Sequence, residues 1–438
     1  MKGFSFKNET FIVLIACLLW LSASAICNAA TTGKHWRYTN KSKQREGLKF
    51  DVLDYGAKGD GRSDDTKAFQ AAWANVCKAE ASTLIVPYGY KFLVGPISFS
   101  GSNCHKSITF QLDGTIVAPI DPKAWGASLD QWLEFTNLVG FTIKGKGTID
   151  GRGSNWWTDS IYDFKQVKHT THLKALMIIG SSKTTVTGIT IRNSPLFHLT
   201  FDSCDGVLVH DVSISSPGDS PNTDGIHLRT TKNVVIHHTN LACGDDCISI
   251  QTGCTNVIIH DVNCGPGHGI SIGSLGIDGT TACVSNITVR DIKLHDTMTG
   301  VRIKTWQGAK GLVRGVSFSN IQVSQVEVPI MINQYYCDHS ICKNSSSAVS
   351  IADIVYENIR GTYTVQPLHL SCSDSKPCMD LSLSDIELNP KPNGHQMSKP
   401  FCWQAFGELN APIVPEIDCL QEGRSSKRLG HHYANCAA

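Results

Sequence analysis

Charge is scarce in this chain, and what there is cancels. Lys and Arg number 39 against 38 Asp and Glu, a formal charge of +1. Charged residues are 18% of the chain, below the ~25% of an average globular protein. There is no basic excess to hold nucleic acid and no acidic tail. Recognition of a charged polymer must therefore come from local groups. Long apolar runs are missing as well. The longest, Phe11 to Leu21, has 11 residues, too few for the ~20 that cross a bilayer, so no membrane anchor is expected. No two cysteines stand in Cys-x2-Cys spacing, which argues against a metal cluster. Helix signals are rare after the N-terminus.

Targeting and export explain several of the features that are present. Lys2 and Lys7 precede the short apolar run, and Ala23-Ser24-Ala25 follows it. That is the plan of a secretory signal peptide over residues 1–25, with cleavage after Ala25 or after Ala29 or Ala30. Of 17 cysteines, Cys17 leaves with the signal and Cys27 leaves with it if cleavage falls after Ala29 or Ala30; the abundance of the remaining 16 or 15 reads as disulfides of an exported protein. The close pairs Cys337/Cys342 and Cys372/Cys378 point to small local loops. Acceptor sequons at Asn40, Asn286 and Asn344 fit export.

Residues 26–48 are polar and read as a flexible segment. A strand-like alternation from Lys49 to Tyr55 follows, then a Gly-rich turn, then a helix from Thr66 to about Lys78 capped by Asp64 or Asp65. From about 80 to 390 the chain changes character. Short β-rich runs recur between Gly, Asn and Asp. GVLVHDVSI (206–214), NVVIHHTNL (233–241), NVIIHDVNC (256–264) and NITVRDIKL (286–294) form a weak repeat. Segments 141–149, 188–196, 315–323 and 380–388 look like further members. Strand repeats of 20–30 residues mean a solenoid whose units must stack to bury their apolar faces. Without intervening helices the expected fold is all-β, a single-stranded parallel β-helix over 49–402, with the helix at 66–78 capping one end. Residues 403–438 show no repeat and read as a disulfide-pinned tail. No linker divides the chain, so one domain and a monomer are expected.

The densest polar cluster lies in the most regular repeats: SPNTDGIHL (220–228), CGDDCISI (243–250), CGPGHGISIGS (264–274) and RIK (302–304). Asp224 to Asp246 is 22 residues, and Asp246 to His268 is again 22. In a solenoid of that period these residues stack, one strand spacing of ~4.8 Å apart. Stacked carboxylates repel and raise at least one pKa, which suits acid–base chemistry such as glycoside hydrolysis. Glycines on both sides of His268 imply close approach of a ligand or chain. Arg302 and Lys304 share a face and form a candidate clamp for a substrate carboxylate. Asp245 is the exception. Strict pleating sends it to the face opposite Asp246, so a bend near Gly244 is needed to bring both outward.

The four motifs resemble those of the plant polygalacturonases, glycoside hydrolase family 28. The likeness runs from about Phe50 to Cys402 and takes in DYGAKGDGRSDDTKAFQ (54–70), GTIDGRGSNWW (147–157) and NSPLFHLTF (193–201). The resemblance implies a right-handed β-helix and inverting hydrolysis of α-1,4-galacturonan in the plant cell wall, with no cofactor and no metal. It assigns Asp245 as general acid, Asp224 and Asp246 as activators of water, and His268 as a residue that tunes the acid. It places Asn222, Arg302, Lys304 and Tyr336 against the sugar, with Tyr335 beside the last as an alternative register. It also implies a Cys247–Cys264 disulfide. Endo action is favoured over exo. An inverting enzyme further implies that Asp245 lies beyond the ~5–5.5 Å carboxyl separation of retaining enzymes from Asp224 or Asp246. Two other functions remain open on this pattern. One is a calcium-dependent pectate lyase with the three Asp as ligands; the other is a catalytically inactive pectin-binding solenoid.

Overall fold

The computed structural model describes residues 47–125, 131–157, 174–338, 345, 347–391, 397–423 and 436. The signal peptide, most of the segment 26–48, and the sequons Asn40 and Asn344 lie outside the described residues.

The repeats stack as right-handed coils of a parallel β-helix. Ile226, Ile248, Ile270, Val301, Ile330 and Leu368 occupy one register position on successive strands of an 11-stranded parallel sheet. All six are fully buried. Two residues further on, Leu228, Ile250, Ile272, Ile303, Ile332 and Leu370 repeat the pattern. Each such side chain contributes roughly 1.5–3 kcal/mol by burial. The opposite wall of the core comes from the second sheet, where Val209, Ile236, Ile259, Val289, Phe318, Tyr356 and Leu383 align.

The leading residue of each repeat has a conformational reason. Gly206, Asn233, Asn256, Asn286 and Gly315 hold equivalent positions, with φ of +75°, +55°, +56°, +55° and +62°. Gly and Asn tolerate this left-handed bend. The asparagines also bind one another: Asn256 Nδ2 donates to Asn233 Oδ1 (2.9 Å) and Asn286 Nδ2 to Asn256 Oδ1 (2.7 Å). Segments 141–149 and 188–196 enter out of register. Thr142 pairs with Thr185, so Gly140 is the true counterpart of Gly206. Gly188 lies after the strand Ser182–Thr187, not at its start.

Helix α1, Thr66–Val76, caps the first coils. Its buried face is Ala68, Phe69, Ala72, Trp73 and Val76, and Trp73 meets Phe99, Phe135 and Phe141 edge-on. Asp65 occupies the N-cap, but its carboxylate is used on the preceding turn, accepting from the Lys58 and Gly59 amides. The coil stack does not stop at 402 as the repeat pattern implies. Ala405–Val414 pairs in parallel with Cys378–Pro390, and Gln421–Glu422 pairs in turn with it. The residues of Ala405–Val414 are mostly exposed, and they lack the apolar alternation that marks the other coils.

Disulfides join Cys77–Cys104, Cys247–Cys264, Cys283–Cys436, Cys372–Cys378 and Cys402–Cys419. The last two cysteines of the chain are thus tied back to the coils. Three cysteines stay outside these bridges: Cys204, Cys243 and Cys254 are buried free thiols. Burial raises Cys204 and Cys254 to about 11, so they act as small apolar side chains and not as nucleophiles. Cys342 lies outside the described residues.

Candidate active site

The outward face of the 11-stranded sheet carries the polar cluster. Asp224, Asp246 and His268 each stand two residues before Ile226, Ile248 and Ile270, which are paired in register. The ladder expected from the 22-residue spacing is therefore present in the backbone. The Gly225 amide donates to the Asp246 carbonyl at 2.9 Å, and Cys247 to Gly269 at 2.8 Å.

Asp245 reaches the same face because pleating does not apply to it. The strand begins only at Ile248. Before it, Gly244 presses against the neighbouring coil, where an added Cβ would stand 1.9 Å from the Ser220 carbonyl oxygen. The Gly244 amide donates to Thr223 Oγ1 at 2.9 Å. The Asp246 amide then donates to Asp245 Oδ1 at 2.8 Å, fixing the turn. His268 Nδ1 lies 2.9 Å from Asp245 Oδ1, and the His268 amide donates to the Asp245 carbonyl at 2.7 Å. The glycines beside His268 admit the next coil: Gly269, at φ +83°, would place a Cβ 2.0 Å from the Thr299 oxygen.

The three carboxylates occupy unlike environments. Asp246 has a side chain only 3% exposed and is bound on both oxygens. Arg302 Nη2 and Ser271 Oγ donate to Oδ1 at 2.6 and 2.7 Å, and Lys304 Nζ donates to Oδ2 at 2.9 Å. Burial pushes this carboxyl up, but Lys304 and Arg302 overcome it and leave it at about 2. Asp224 accepts a 2.6 Å bond from Ser249 Oγ. Burial, then the charges of Asp245 and Asp246, hold it well above the carboxylate range. His227 lies 3.4 Å from Asp224, but burial lowers its pKa to about 3, so the contact is not an ion pair. Asp245 is the most accessible of the three, at 21% side-chain exposure.

The remaining candidates fall into two groups. Lys304 Nζ sits 5.3 Å from the Tyr336 ring centroid, and Tyr336 packs edge-on against Trp306. Tyr335 instead hydrogen-bonds Asp374 through its hydroxyl. Asn222 is exposed in the turn before Asp224, at φ +53°. The carboxyl separation needs correction for one pair. Donor atoms of Asp245, Asp246 and His268 all lie within 4.8 Å of one another, so the Asp245–Asp246 pair is closer than the ~6.5–9.5 Å that leaves room for water. That proximity would also suit a divalent cation, yet both Asp246 oxygens are already bound to cations, which oppose one. Ser249, Ser271 and His198 were not singled out from the sequence. Ser249 and Ser271 are themselves 22 residues apart, a signal for the same ladder. His198 Nδ1 lies 2.8 Å from the Asp224 carbonyl oxygen.

Paired carboxylates held in opposite protonation preference on an open parallel β-helix face define a glycoside hydrolase. The chain belongs to glycosyl hydrolases family 28, whose family model matches residues 77–400. A polygalacturonase of Cryptomeria japonica is 44% identical over 388 residues, 87% of this chain and 75% of that one. A probable polygalacturonase of Arabidopsis thaliana is 38% identical over 97% of this chain and 96% of its own. Among solved structures, the polygalacturonase of Erwinia carotovora superposes with a TM-score of 0.67 at 24% identity, over 91% of this chain and all of that one. Among the described residues no helix is long and apolar enough to cross a membrane.

Proposed function

We propose that this chain is a polygalacturonase that hydrolyses α-1,4-galacturonosyl linkages of pectin homogalacturonan with inversion, acting as a secreted monomer in the plant cell wall. The observation that carries the reading is the split of the ladder. Asp246 is held ionised by Arg302 and Lys304, while Asp224 favours its proton, so acid and base functions coexist within one set.

Asp245, the accessible carboxyl in contact with His268, is the general acid that protonates the glycosidic oxygen. His268 orients it and supports its proton through the 2.9 Å contact. The three carboxyls titrate as a set, so the proton that burial holds near Asp224 belongs to the ladder and not to one residue. Asp224 and Asp246 activate the attacking water. Since Asp245 and Asp246 are too close to hold a water in line between them, the in-line water falls to Asp224, and Asp246 steadies it from the side. Arg302 uses Nε on Ser271 and Nη2 on Asp246, leaving Nη1 for a galacturonate carboxylate. Lys304 adds charge, and Tyr336 beside it offers a ring face to the sugar. Asn222 borders the cleft. Asn286 is exposed and a candidate glycan acceptor along with Asn40 and Asn344.

Incubation with polygalacturonate in the presence of a calcium chelator tests this reading. The expected result is undiminished release of saturated reducing ends. Chelator-sensitive release of unsaturated, UV-absorbing ends would assign a lyase, and binding without release would assign an inactive solenoid.

A further inference from the structure

We propose that His227 is a positioning residue of the reaction: its Nδ1–H donates to Ser249, which in turn donates to Asp224 and holds that carboxyl as an acceptor for the attacking water. The inference rests on the polygalacturonase reading, since it takes Asp224 as a group that activates water.

The side chains involved form a second ladder beside the carboxyls. His227, Ser249, Ser271 and Arg302 pair in register on successive strands of the 11-stranded sheet. Ser249 Oγ lies 2.6 Å from Asp224 Oδ2 and 2.7 Å from His227 Nδ1. A hydroxyl has a single hydrogen to give. With that hydrogen on the carboxylate, Nδ1 must carry the hydrogen of the other bond. The ring is held at this contact. It stacks on Phe197 with centroids 4.4 Å apart and planes 14° from parallel, and His227 is buried.

The neighbouring carboxyl shows which way such a chain runs. Arg302 Nε donates to Ser271 Oγ at 3.0 Å, and Ser271 Oγ donates to Asp246 Oδ1 at 2.7 Å. Arginine has no acceptor, so this chain has one direction. The serine bridge at Asp224 is the same one coil earlier, and the difference is the charge of the donor behind it. Lys304 and Arg302 leave Asp246 at about 2. The donor behind Ser249 is neutral, since burial lowers His227 to about 3. Asp224 is therefore fixed in place while its pKa stays raised. Among the described residues no hydrogen bond reaches Asp224 Oδ1, which leaves that oxygen for the water.

The surrounding charges and bonds give the sign of the effect. Asp224 faces Asp245, Asp246 and Lys304, and the His227 ring faces Lys174, Asp246, Arg229 and Asp202. His198 bonds the Asp224 backbone carbonyl and not its carboxyl. Against burial and the two like charges, the Ser249 bond pulls the Asp224 pKa down, because a hydrogen bond to a charged acceptor is stronger than one to the neutral acid. Donation from His227 polarises the serine hydroxyl and strengthens that bond. Loss of the Nδ1–H therefore raises the Asp224 pKa further. The ladder then needs a higher pH before it can accept the water's proton.

The test is the pH profile of kcat on polygalacturonate for wild type and His227→Phe, which keeps a ring against Phe197 and loses the donor. The expected result is an acidic limb moved up by about half to one pH unit, the size of one neutral hydrogen bond. On the acid flank kcat then falls about three- to tenfold while KM barely changes. His227→Asn, whose amide nitrogen can stand in for Nδ1, should return most of the limb. In a Ser249→Ala background, His227→Phe should add no further shift. An unmoved limb, a change confined to KM, or an equal further shift without Ser249 would overturn the proposal, and melting curves check that the variants fold. A readout without turnover separates the two readings. In wild type carrying isotope-labelled histidine, the imidazole nitrogen resonances lost in His227→Phe should show the hydrogen on Nδ1 in neutral to alkaline solution. If wild type cleaves no polygalacturonate, the hydrolase reading fails. The positioning proposal still stands or falls on that tautomer, and a hydrogen on Nε2 instead would overturn it.

Discussion

Asp245→Asn lowers kcat on polygalacturonate by roughly 10²- to 10⁴-fold, the range of a general acid's contribution, and leaves the thermal midpoint nearly unchanged. The amide is isosteric and can keep the His268 contact and the turn bond to the Asp246 amide. It cannot supply a proton to a leaving oxygen. Asp245 is also the least buried of the three carboxyls, so losing its charge removes repulsion from the ladder rather than support from the core. With one negative neighbour gone, Asp224 ionises more readily and its raised pKa falls, because Asp245 is the second largest cause of that rise. The check is initial-rate kinetics by reducing-end release beside a melting curve. Wild-type kcat in the variant would remove Asp245 from the chemistry.

Lys304→Met produces the opposite balance, a large loss of stability. Lys304 and Asp246 have side chains 8% and 3% exposed. Methionine matches the length of the stem but leaves Asp246 with one cation in a buried setting, and breaking such a pair costs about 3–5 kcal/mol. The pH dependence follows from the sign of the shift. Asp246 is lowered on folding from 3.8 to about 2, so its contribution is fully present above pH ~4 and is lost as pH falls through ~2. In Lys304→Met the folded value rises, and acid destabilisation sets in at higher pH. A second change, Asp246→Asn, removes the uncompensated charge and should restore much of the melting temperature while activity stays absent. If Lys304→Met melts like wild type at pH 5 and pH 3, the buried triad is not the support described here.

These two residues also show what the sequence could and could not convey. Lys304 and Arg302 are legible as outward cations, because alternation about Ile303 fixes their face. Their partner is not legible. They are 58 and 56 residues from Asp246, and the longer coil between His268 and Arg302 hides the register. The ladder of Asp224, Asp246 and His268 can be read because three coils share one period and a parallel stack preserves it. Asp245 cannot be reached that way. Its orientation depends on an irregular turn at Gly244, whose geometry is set by close approach to Ser220 on another coil. The resemblance supplied that residue where spacing did not. The strand Ala405–Val414 is not legible for a related reason: its residues are mostly exposed, so it is freed from the alternation by which the others are recognised. Which cysteines stay free is not legible, since composition reports how many there are and not which lie within reach.

The central claim is that the ladder directs a water to the anomeric carbon while Asp245 protonates the leaving oxygen. Proton NMR of the first products from a defined oligogalacturonide, recorded before mutarotation, tests it most directly. The account predicts that the newly formed reducing end appears first as the β-anomer from the α-linkage. An α-anomer as first product would mean retention through a covalent intermediate and would contradict it.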